Sequence, residues 1–369
     1  MFEKLTINKK LRKHLDYGLI MVASLIVLFG CVNIYSARKT IYYAKLQLIW
    51  LVLSLIVIYI VLLVDYKLII NYVPIIYWSG VVMLVLNDFV LGKTTKGATA
   101  WIKLGSRAIQ PSEFAKLGMI LMLALQLKKM EGKINEPKNF FKLVLYAIIP
   151  MSLIVIQPDM GMTMVSFFIV LGIFFIFGLD LRVIFGGFVG LTVLILVLWN
   201  SSLMPNYWKV RLTSFLTPEK YSLTSTFQLS QSLVGIGSGQ IFGEGFTQGK
   251  QLEMNLIPEA FTDFIFAVVC EEWGLIGALF LLSLYCILIF KMIKIAKSSQ
   301  DIFGAVVCVG VVSTFVFSLI QNIGMTMGIM PITGITLPLM SYGGSSLLSN
   351  FIGIALVLNI GMRKKKIVF

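Results

Sequence analysis

Long apolar segments recur along this chain and restrict the folds open to it. Several reach the roughly 20 residues that a helix needs to cross a membrane. Only 13% of the residues are charged and the mean hydropathy is +0.92, whereas a soluble domain is about one quarter charged. We therefore predict an all-α integral membrane protein, a polytopic bundle of about ten transmembrane helices. The predicted spans are 17–37, 46–64, 68–86, 114–127, 143–156, 160–179, 183–198, 264–290, 302–324 and 347–362.

The distribution of lysine and arginine between the two sides predicts the orientation of the bundle. With the N-terminus inside, nineteen of the 31 fall in inner segments and eleven in outer segments, and Lys116 lies within a span. Because cytoplasmic loops carry the excess of these residues, we predict that both termini are cytoplasmic. This asymmetry, with attraction to anionic lipid, accounts for the net charge of +14 without nucleic-acid binding. We predict one transmembrane domain, 1–369, with an N-terminal segment 1–16, a large extracytoplasmic loop 200–262 between helices 7 and 8, and a basic tail 363–369.

Two predicted outer segments are long. The first, 88–110, carries Gly, Lys, Thr and one Trp, and could include a helix lying at the membrane interface. The second, 200–262, has no apolar span, but its aromatic residues predict order in the form of interfacial helices. These aromatic residues are Tyr207, Trp208, Phe215, Tyr221 and Phe227. The only histidine, His14, lies in the basic N-terminal segment, so histidine-based catalysis is not predicted.

Acidic residues stand where the longest polar segment meets an apolar helix, in LIPEAFTDFIFAVVCEEWG at 256–274. Glu259 and Asp263 are four apart, so they share one face of a helix or of its entry turn. Asp263 is either a working group or a helix N-cap, a role that Thr262 could also fill. Glu271 and Glu272 lie about 12 Å further along the helix, at 1.5 Å per residue.

Further polar groups lie near the same predicted end of other spans. Lys116 follows Glu113 by three positions, which indicates either a helix ion pair or a functional cation. Asp159 either caps the following helix or serves the site. The turn LPLMSYGGSS either restarts a helix or lets the backbone approach a ligand. Together they predict a polar cavity that opens outward to a lipid-borne polar headgroup. The candidate residues are Glu113, Lys116, Asp159, Arg211, Glu259, Asp263, Ser341, Gly343 and Gly344.

Five motifs, in order over nearly the whole chain, resemble the SEDS family, named for shape, elongation, division and sporulation. Their wording is more similar to the elongation member RodA than to the division member FtsW. The motifs are QPSEFAK at 110–116, QPDMG at 157–161, QSLVGIGSGQIFGEG at 231–245, IPEAFTDFIFAVVCEEWG at 257–274 and NIGMTMGIMPITGITLPLMSYGGSS at 322–346. The resemblance implies a peptidoglycan glycosyltransferase that polymerises lipid II into glycan strands for cell-wall elongation and rod shape. It also implies a bacterial plasma membrane, an active site on its outer side, a class B penicillin-binding protein (a transpeptidase) as partner, and other elongation-complex membrane proteins.

The resemblance also implies roles for particular residues. The aspartate of the family's TDF motif is catalytic, and it matches Asp263. The glutamate of PE matches Glu259, and the pair that lines the family's central cavity matches Glu113 and Lys116. Trp101, in ATAWI, belongs to the same implied substrate site.

This chain departs from the family pattern at three positions. Phe261 stands where the family usually has histidine, and Phe227 stands where it has tyrosine. Ala100 replaces an arginine, which removes one expected phosphate contact. Lys103 and Arg107 are candidate substitutes for it.

The implied chemistry needs one carboxylate as general base and positive charge on the departing diphosphate. We assign these to Asp263 and to Lys116 and Arg211. A divalent cation, Mg²⁺ or Mn²⁺, is an alternative source of that charge, and no other cofactor is implied. The competing hypotheses are a lipid II flippase or transporter, a non-catalytic scaffold, and the division or sporulation member of the family.

Overall fold

The computed structural model describes residues 9–95, 98–104, 107–199, 206–216 and 226–363. It is a bundle of long helices, as predicted. The helices are α1 (Lys9–Arg12), α2 (Tyr17–Arg38), α3 (Ile41–Leu63), α4 (Tyr66–Leu86), α5 (Pro111–Lys129), α6 (Pro137–Ile156), α7 (Met160–Ile176), α8 (Leu181–Trp199), α9 (Asn206–Leu216), α10 (Phe227–Ser238), α11 (Lys250–Glu253), α12 (Ile265–Lys297), α13 (Ile302–Thr326) and α14 (Gly344–Met362).

A helix occupies each of the ten predicted segments, α2 to α8 and α12 to α14. Within the described ranges, seven helices are long and apolar enough to cross a membrane. They are Tyr17–Arg38, Ile41–Leu63, Tyr66–Val90, Pro137–Ile156, Ile265–Lys297, Ile302–Thr326 and Gly344–Met362. The shorter α7 and α8 and the charged α5 fall outside this set, so the number of ten crossings stays a prediction.

Helices α5 and α14 form the centre of the bundle. α5 buries every residue from Pro111 to Leu127 except Phe114. It packs against α4, and α14 packs along α3. Small residues allow the close approach of α4 and α5, because a Cβ on Gly80 would lie 3.2 Å from the Cα of Ala115. Such small-residue contacts are typical of helix packing within membranes.

The segment 88–110 forms a small antiparallel sheet, so the expected interfacial helix is wrong. A π-helical turn, Asn87–Leu91, leads into three strands. The strands are β1 (Gly92–Thr95), β2 (Ala98–Leu104) and β3 (Arg107–Ile109). Trp101 pairs with Lys93, and the backbone N–H of Thr99 donates to Gln157 O at 3.1 Å. This hydrogen bond connects the sheet to the junction of α6 and α7.

The stretch between α8 and α12 contains the helices α9, α10 and α11 within its described parts, whereas residues 239–249 and 254–264 form turns and irregular segments. Trp208 and Phe215 lie in α9, and Phe227 begins α10. The helical form that the aromatic residues predict is therefore confirmed there, whereas its place at a membrane interface stays a prediction. Tyr221 lies outside the described residues.

Helix α12 is interrupted at Gly274, whose φ of 63° and ψ of −157° are not helical. The glycine-rich segment 239–249 packs against this interruption. A side chain at Gly243 would collide with the backbone carbonyl of Glu272. Both Glu271 and Glu272 are buried, with 0% and 2% exposure.

Candidate active site

One end of the bundle holds a cavity of about 330 Å³ with charged and polar groups in its wall. It lies where the first turns of α5, α7 and α14 meet the entry to α12 and the stretch before α14. The predicted site residues among its lining are Trp101, Glu113, Lys116, Asp159, Arg211, Glu259, Asp263 and Gly343. The structure therefore brings together residues that are far apart in the sequence.

The two carboxylates of the TDF region are placed by a turn before α12. The backbone N–H of Thr262 donates to Glu259 O at 3.2 Å, and the Thr262 hydroxyl donates to Glu259 Oε2 at 3.0 Å. The N-cap of α12 is Phe264, and no side chain caps this helix. The interpretation of Thr262 or Asp263 as its N-cap is therefore wrong, because the chain makes one more turn before the helix starts.

Asn322 of α13 holds the backbone on both sides of the cavity. Its amide Nδ2 donates to the carbonyl of Asp263 at 2.8 Å and to the carbonyl of Ile335 at 2.7 Å. Nearby, the Ser341 hydroxyl donates to Thr262 O and accepts from Leu337 N at 2.8 Å. These contacts fix the turn that carries Asp263 relative to the stretch before α14.

Ser341 and Gly344 do not belong to the described cavity lining. Ser341 is 5% exposed and supports the backbone of Thr262. Gly344 begins α14 directly against the indole of Trp50, which leaves no space for a Cβ atom. Ser341 and Gly344 therefore shape the turn. Of the two adjacent glycines, Gly343 is the one that lines the cavity.

The side chains of Asp263 and Arg211 both lie next to the space that a side chain at position 334 would occupy. The φ of Gly334 is +75°, and a Cβ there would lie 3.6 Å from Asp263 Oδ2 and 4.0 Å from Arg211 Nη2. The carboxylate and the guanidinium thus face the same small space. A substrate group placed over Gly334 would lie close to both the carboxylate of Asp263 and the guanidinium of Arg211.

Glu113 and Lys116 form a buried ion pair on the first turns of α5. Lys116 Nζ lies 2.5 Å from Glu113 Oε2, and both side chains are at most 6% exposed. The Ser349 hydroxyl of α14 donates to the same carboxylate oxygen. The predicted helix pair is confirmed, and it faces the cavity.

Asp159 caps α7, as one of its two interpretations predicts. Its Oδ1 accepts from Met162 N at 3.0 Å, and its Oδ2 accepts from Gln110 Nε2 at 3.0 Å. Burial raises the pKa of Asp159 above that of an ordinary carboxyl group, although these two hydrogen bonds lower it.

The described lining carries more negative than positive groups. Four carboxyl groups, those of Glu113, Asp159, Glu259 and Asp263, face two cations, Lys116 and Arg211. Ala100 stands in the wall with 2% exposure. The side chains of Lys103 and Arg107, the candidate substitutes for an arginine there, lie outside what the structure describes.

The sequence matches the profile of the cell cycle protein family of FtsW, RodA and SpoVE over residues 8–366. The chain belongs to this family. It is the family that the five motifs resemble, and the resemblance is confirmed.

Curated relatives from three branches are similar to the chain to nearly the same degree. Stage V sporulation protein E of Bacillus subtilis is 33% identical over 363 residues, covering 94% of this chain and 96% of the relative. The peptidoglycan glycosyltransferase MrdB of Escherichia coli K12 is 32% identical over 362 residues, covering 97% of each. The probable peptidoglycan glycosyltransferase FtsW of Trichlorobacter lovleyi is 30% identical over 370 residues, covering 96% of each. Identity alone does not separate the branches.

Two solved structures share the fold. A chain of a peptidoglycan synthase complex, in a study of coordinated polymerization and crosslinking, matches with a TM-score of 0.82 at 30% identity, over 95% of this chain and 99% of its own. The rod shape determining protein RodA of Thermus thermophilus matches with a TM-score of 0.73 at 28% identity, over 95% and 98%.

Sequence reasoning missed several residues of the cavity wall. The clearest signal available for them was the motif NIGMTMGIMPITGITLPLMSYGGSS, which contains Thr333 and Gly334. Tyr342 and Ser346 also line the cavity, and they lie in the turn LPLMSYGGSS that was predicted to belong to it. The missed residues are Gln110, Ser318, Thr333, Gly334 and Asn350.

Proposed function

We propose that this chain is a peptidoglycan glycosyltransferase that polymerises lipid II. The observation that carries the proposal is the shared cavity in which Asp263 and Glu259 face Lys116 and Arg211. Relatives of nearly equal length are named for this activity.

Asp263 is the proposed general base in a single in-line displacement. It removes the proton from the acceptor sugar hydroxyl, whose oxygen then attacks the anomeric carbon of the donor. The bond from that carbon to the diphosphate oxygen breaks, and polyprenyl diphosphate leaves with the electron pair. Because the donor linkage is α and the product linkage is β, one displacement suffices. No acid is needed for this leaving group, so one carboxylate is enough, and Glu259 orients Asp263.

The cavity needs more positive charge than its described residues supply. A diphosphate would add negative charge to a lining that already has four carboxyl groups and two cations. Among the described residues there is no cluster of three metal-ligating side chains. Mg²⁺ is commonly bound by one or two carboxylates together with substrate phosphates. We therefore propose that Asp263 and Glu259 would hold Mg²⁺ or Mn²⁺ together with the diphosphate, and that such an ion would supply positive charge to the leaving group.

Removal of divalent cations is expected to lower polymerisation at least tenfold, with recovery on adding Mg²⁺ or Mn²⁺. Product formation is measured in chelator-treated detergent solution against cation concentration. Ala100→Arg, which restores a cation to the wall, should lower the concentration needed for half-maximal rate. Full activity in chelator would show that Lys116 and Arg211 neutralise the diphosphate without a metal.

A transporter is not favoured by the shape of the site. The described cavity lining clusters at one end of the bundle, and a path for a polar headgroup must cross both leaflets. The test is release of polyprenyl diphosphate from lipid II by the purified protein in detergent, where sidedness is absent. A polymerase releases it as strands grow, whereas a flippase leaves lipid II unchanged.

Elongation is the proposed role, with a class B penicillin-binding protein as partner. The motif wording favours the elongation branch, and the solved complex similar to this chain is a peptidoglycan synthase that coordinates polymerization and crosslinking. Such a partner would supply the cross-linking activity. The diphosphate-release assay, run with and without the co-purified partner, should show a faster rate for the complex.

The proposed orientation puts both termini in the cytoplasm and the cavity on the outer side of the plasma membrane. In a variant with Cys286 replaced by serine, Phe242→Cys and Lys133→Cys provide a matched pair, since Phe242 is 79% exposed and the Lys133 side chain 63%. A membrane-impermeant maleimide should label Phe242→Cys in intact cells, and Lys133→Cys only after permeabilisation. Labelling of Lys133→Cys in intact cells would contradict this orientation.

A further inference from the structure

The interruption of α12 leaves backbone groups that the glycine-rich segment satisfies. The N–H groups of Leu275 and Ile276 donate to the carbonyls of Gln240 and Ile241, at 2.9 and 3.2 Å. The carbonyls of Glu271 and Glu272 accept from the N–H groups of Glu244 and Gly245, at 2.8 and 3.1 Å. Within a membrane protein such groups must be paired inside the protein. Segment and helix therefore form one unit.

Glu271 adds a side-chain contact to this unit. Its buried carboxylate accepts from the backbone N–H of Gln251 at 2.7 Å. Gln251 lies eight residues before Glu259, and Glu271 lies eight residues after Asp263. One hydrogen bond thus joins the two ends of the stretch 251–271, which carries both carboxylates of the site.

Gly249 provides independent support for the contact. Its φ of −60° and ψ of 120° are open to any residue. A Cβ at this position would nevertheless lie only 2.8 Å from Glu271 Cδ. The chain therefore lacks a side chain at the place where one would displace the Glu271 carboxylate.

We propose that Glu271 is a positioning residue: by holding Gln251 it closes the stretch 251–271 into a fixed loop and sets the position of Asp263. The inference rests on the proposed polymerase function. Glu271 does not belong to the described cavity lining, so it acts through the loop rather than on substrate. A displacement of about 1 Å at a reacting group can cost roughly 100-fold in rate.

Four variants test this role. Glu271→Ala removes the acceptor, Gly249→Ala displaces it, and Glu271→Gln keeps an oxygen that can accept from Gln251. Glu244→Ala is the matched control, since Glu244 also accepts a backbone N–H, that of Lys250 at 3.1 Å, but joins residues of one segment only. Each variant is measured for kcat and KM with lipid II, and for hydrogen exchange of the peptides covering 251–264.

Glu271→Ala and Gly249→Ala should lose about 10- to 100-fold in kcat with KM within about threefold, because Lys116 and Arg211 remain in place. Exchange should rise in 251–264 and stay unchanged in α5 and α14. Glu271→Gln and Glu244→Ala should stay within about threefold of wild type in both readouts. Wild-type kcat and exchange in Glu271→Ala would overturn the inference, as would equal losses in Glu271→Ala and Glu271→Gln. If the wild-type protein makes no glycan, the proposed function fails, and hydrogen exchange still tests the contact.

Discussion

Replacing Asp263 with asparagine is expected to lower lipid II polymerisation by at least 100-fold, and by up to about 10,000-fold. This range is the usual contribution of a positioned general base. Asparagine has nearly the same shape, and the bond that Asn322 makes to residue 263 uses the backbone carbonyl. The variant should therefore fold and bind its partner while losing the proton acceptor. Initial rates of glycan formation by equal amounts of folded protein provide the measurement.

Glu259→Gln is the matched comparison for this variant. Because Glu259 orients the site through Thr262, its loss should cost less than the loss of Asp263. A decrease well beyond about 10,000-fold for Asp263→Asn would support the cation proposed at Asp263 and Glu259, because the variant would then lose a cation ligand as well as the base. Near wild-type rates in Asp263→Asn would move the base to Glu259, the other carboxylate on the same turn.

Replacing Lys116 with methionine is expected to destabilise the protein by about 3–5 kcal/mol and to abolish activity. The substitution leaves the Glu113 carboxylate buried with only the hydroxyls of Ser349 and Ser346 among its described partners, and an uncompensated buried charge costs about this much. Thermal unfolding in detergent measures the stability change. Lys133→Met is the control, because the pair of Lys133 with Glu131 is exposed and 3.9 Å apart, and such pairs contribute about 1 kcal/mol or less.

A double variant separates the structural and functional roles of this pair. Glu113→Leu combined with Lys116→Met removes both charges, and apolar replacement of a buried pair is often neutral for stability. We expect the double variant to regain most of the lost stability and to remain inactive, since the cavity still lacks the positive charge of Lys116. Wild-type activity in the folded double variant would show that the pair serves the fold alone.

The helices could be predicted because their signal is local. Length and apolar composition identify a membrane helix wherever it occurs. Helix α5 differs from its predicted span, 114–127, mainly in starting at Pro111, a residue that suits the first turn of a helix. The sheet at β1 to β3 could not be predicted with the same ease. Its strands are short, and one of the contacts that hold it in place comes from Gln157, which is distant in the sequence.

The site could be predicted where its residues share a turn. Glu259 and Asp263 are four apart, and both line the cavity. Gly334 and Asn322 were beyond local reasoning, because their roles depend on an approach to Asp263 from residues about sixty to seventy positions away. The N-cap interpretation of Asp263 failed because Asp263 lies in a turn before α12, and Asn322 and Ser341, which are distant in the sequence, hold the backbone of that turn.

The most direct test is electrophoresis of the products formed by the purified protein and its partner in detergent, with lipid II as the only substrate. We predict that the wild-type complex converts lipid II into long glycan strands and that the folded Asp263→Asn complex forms none. A folded wild-type complex that leaves lipid II intact, with Mg²⁺ or Mn²⁺ present, would contradict the proposed function.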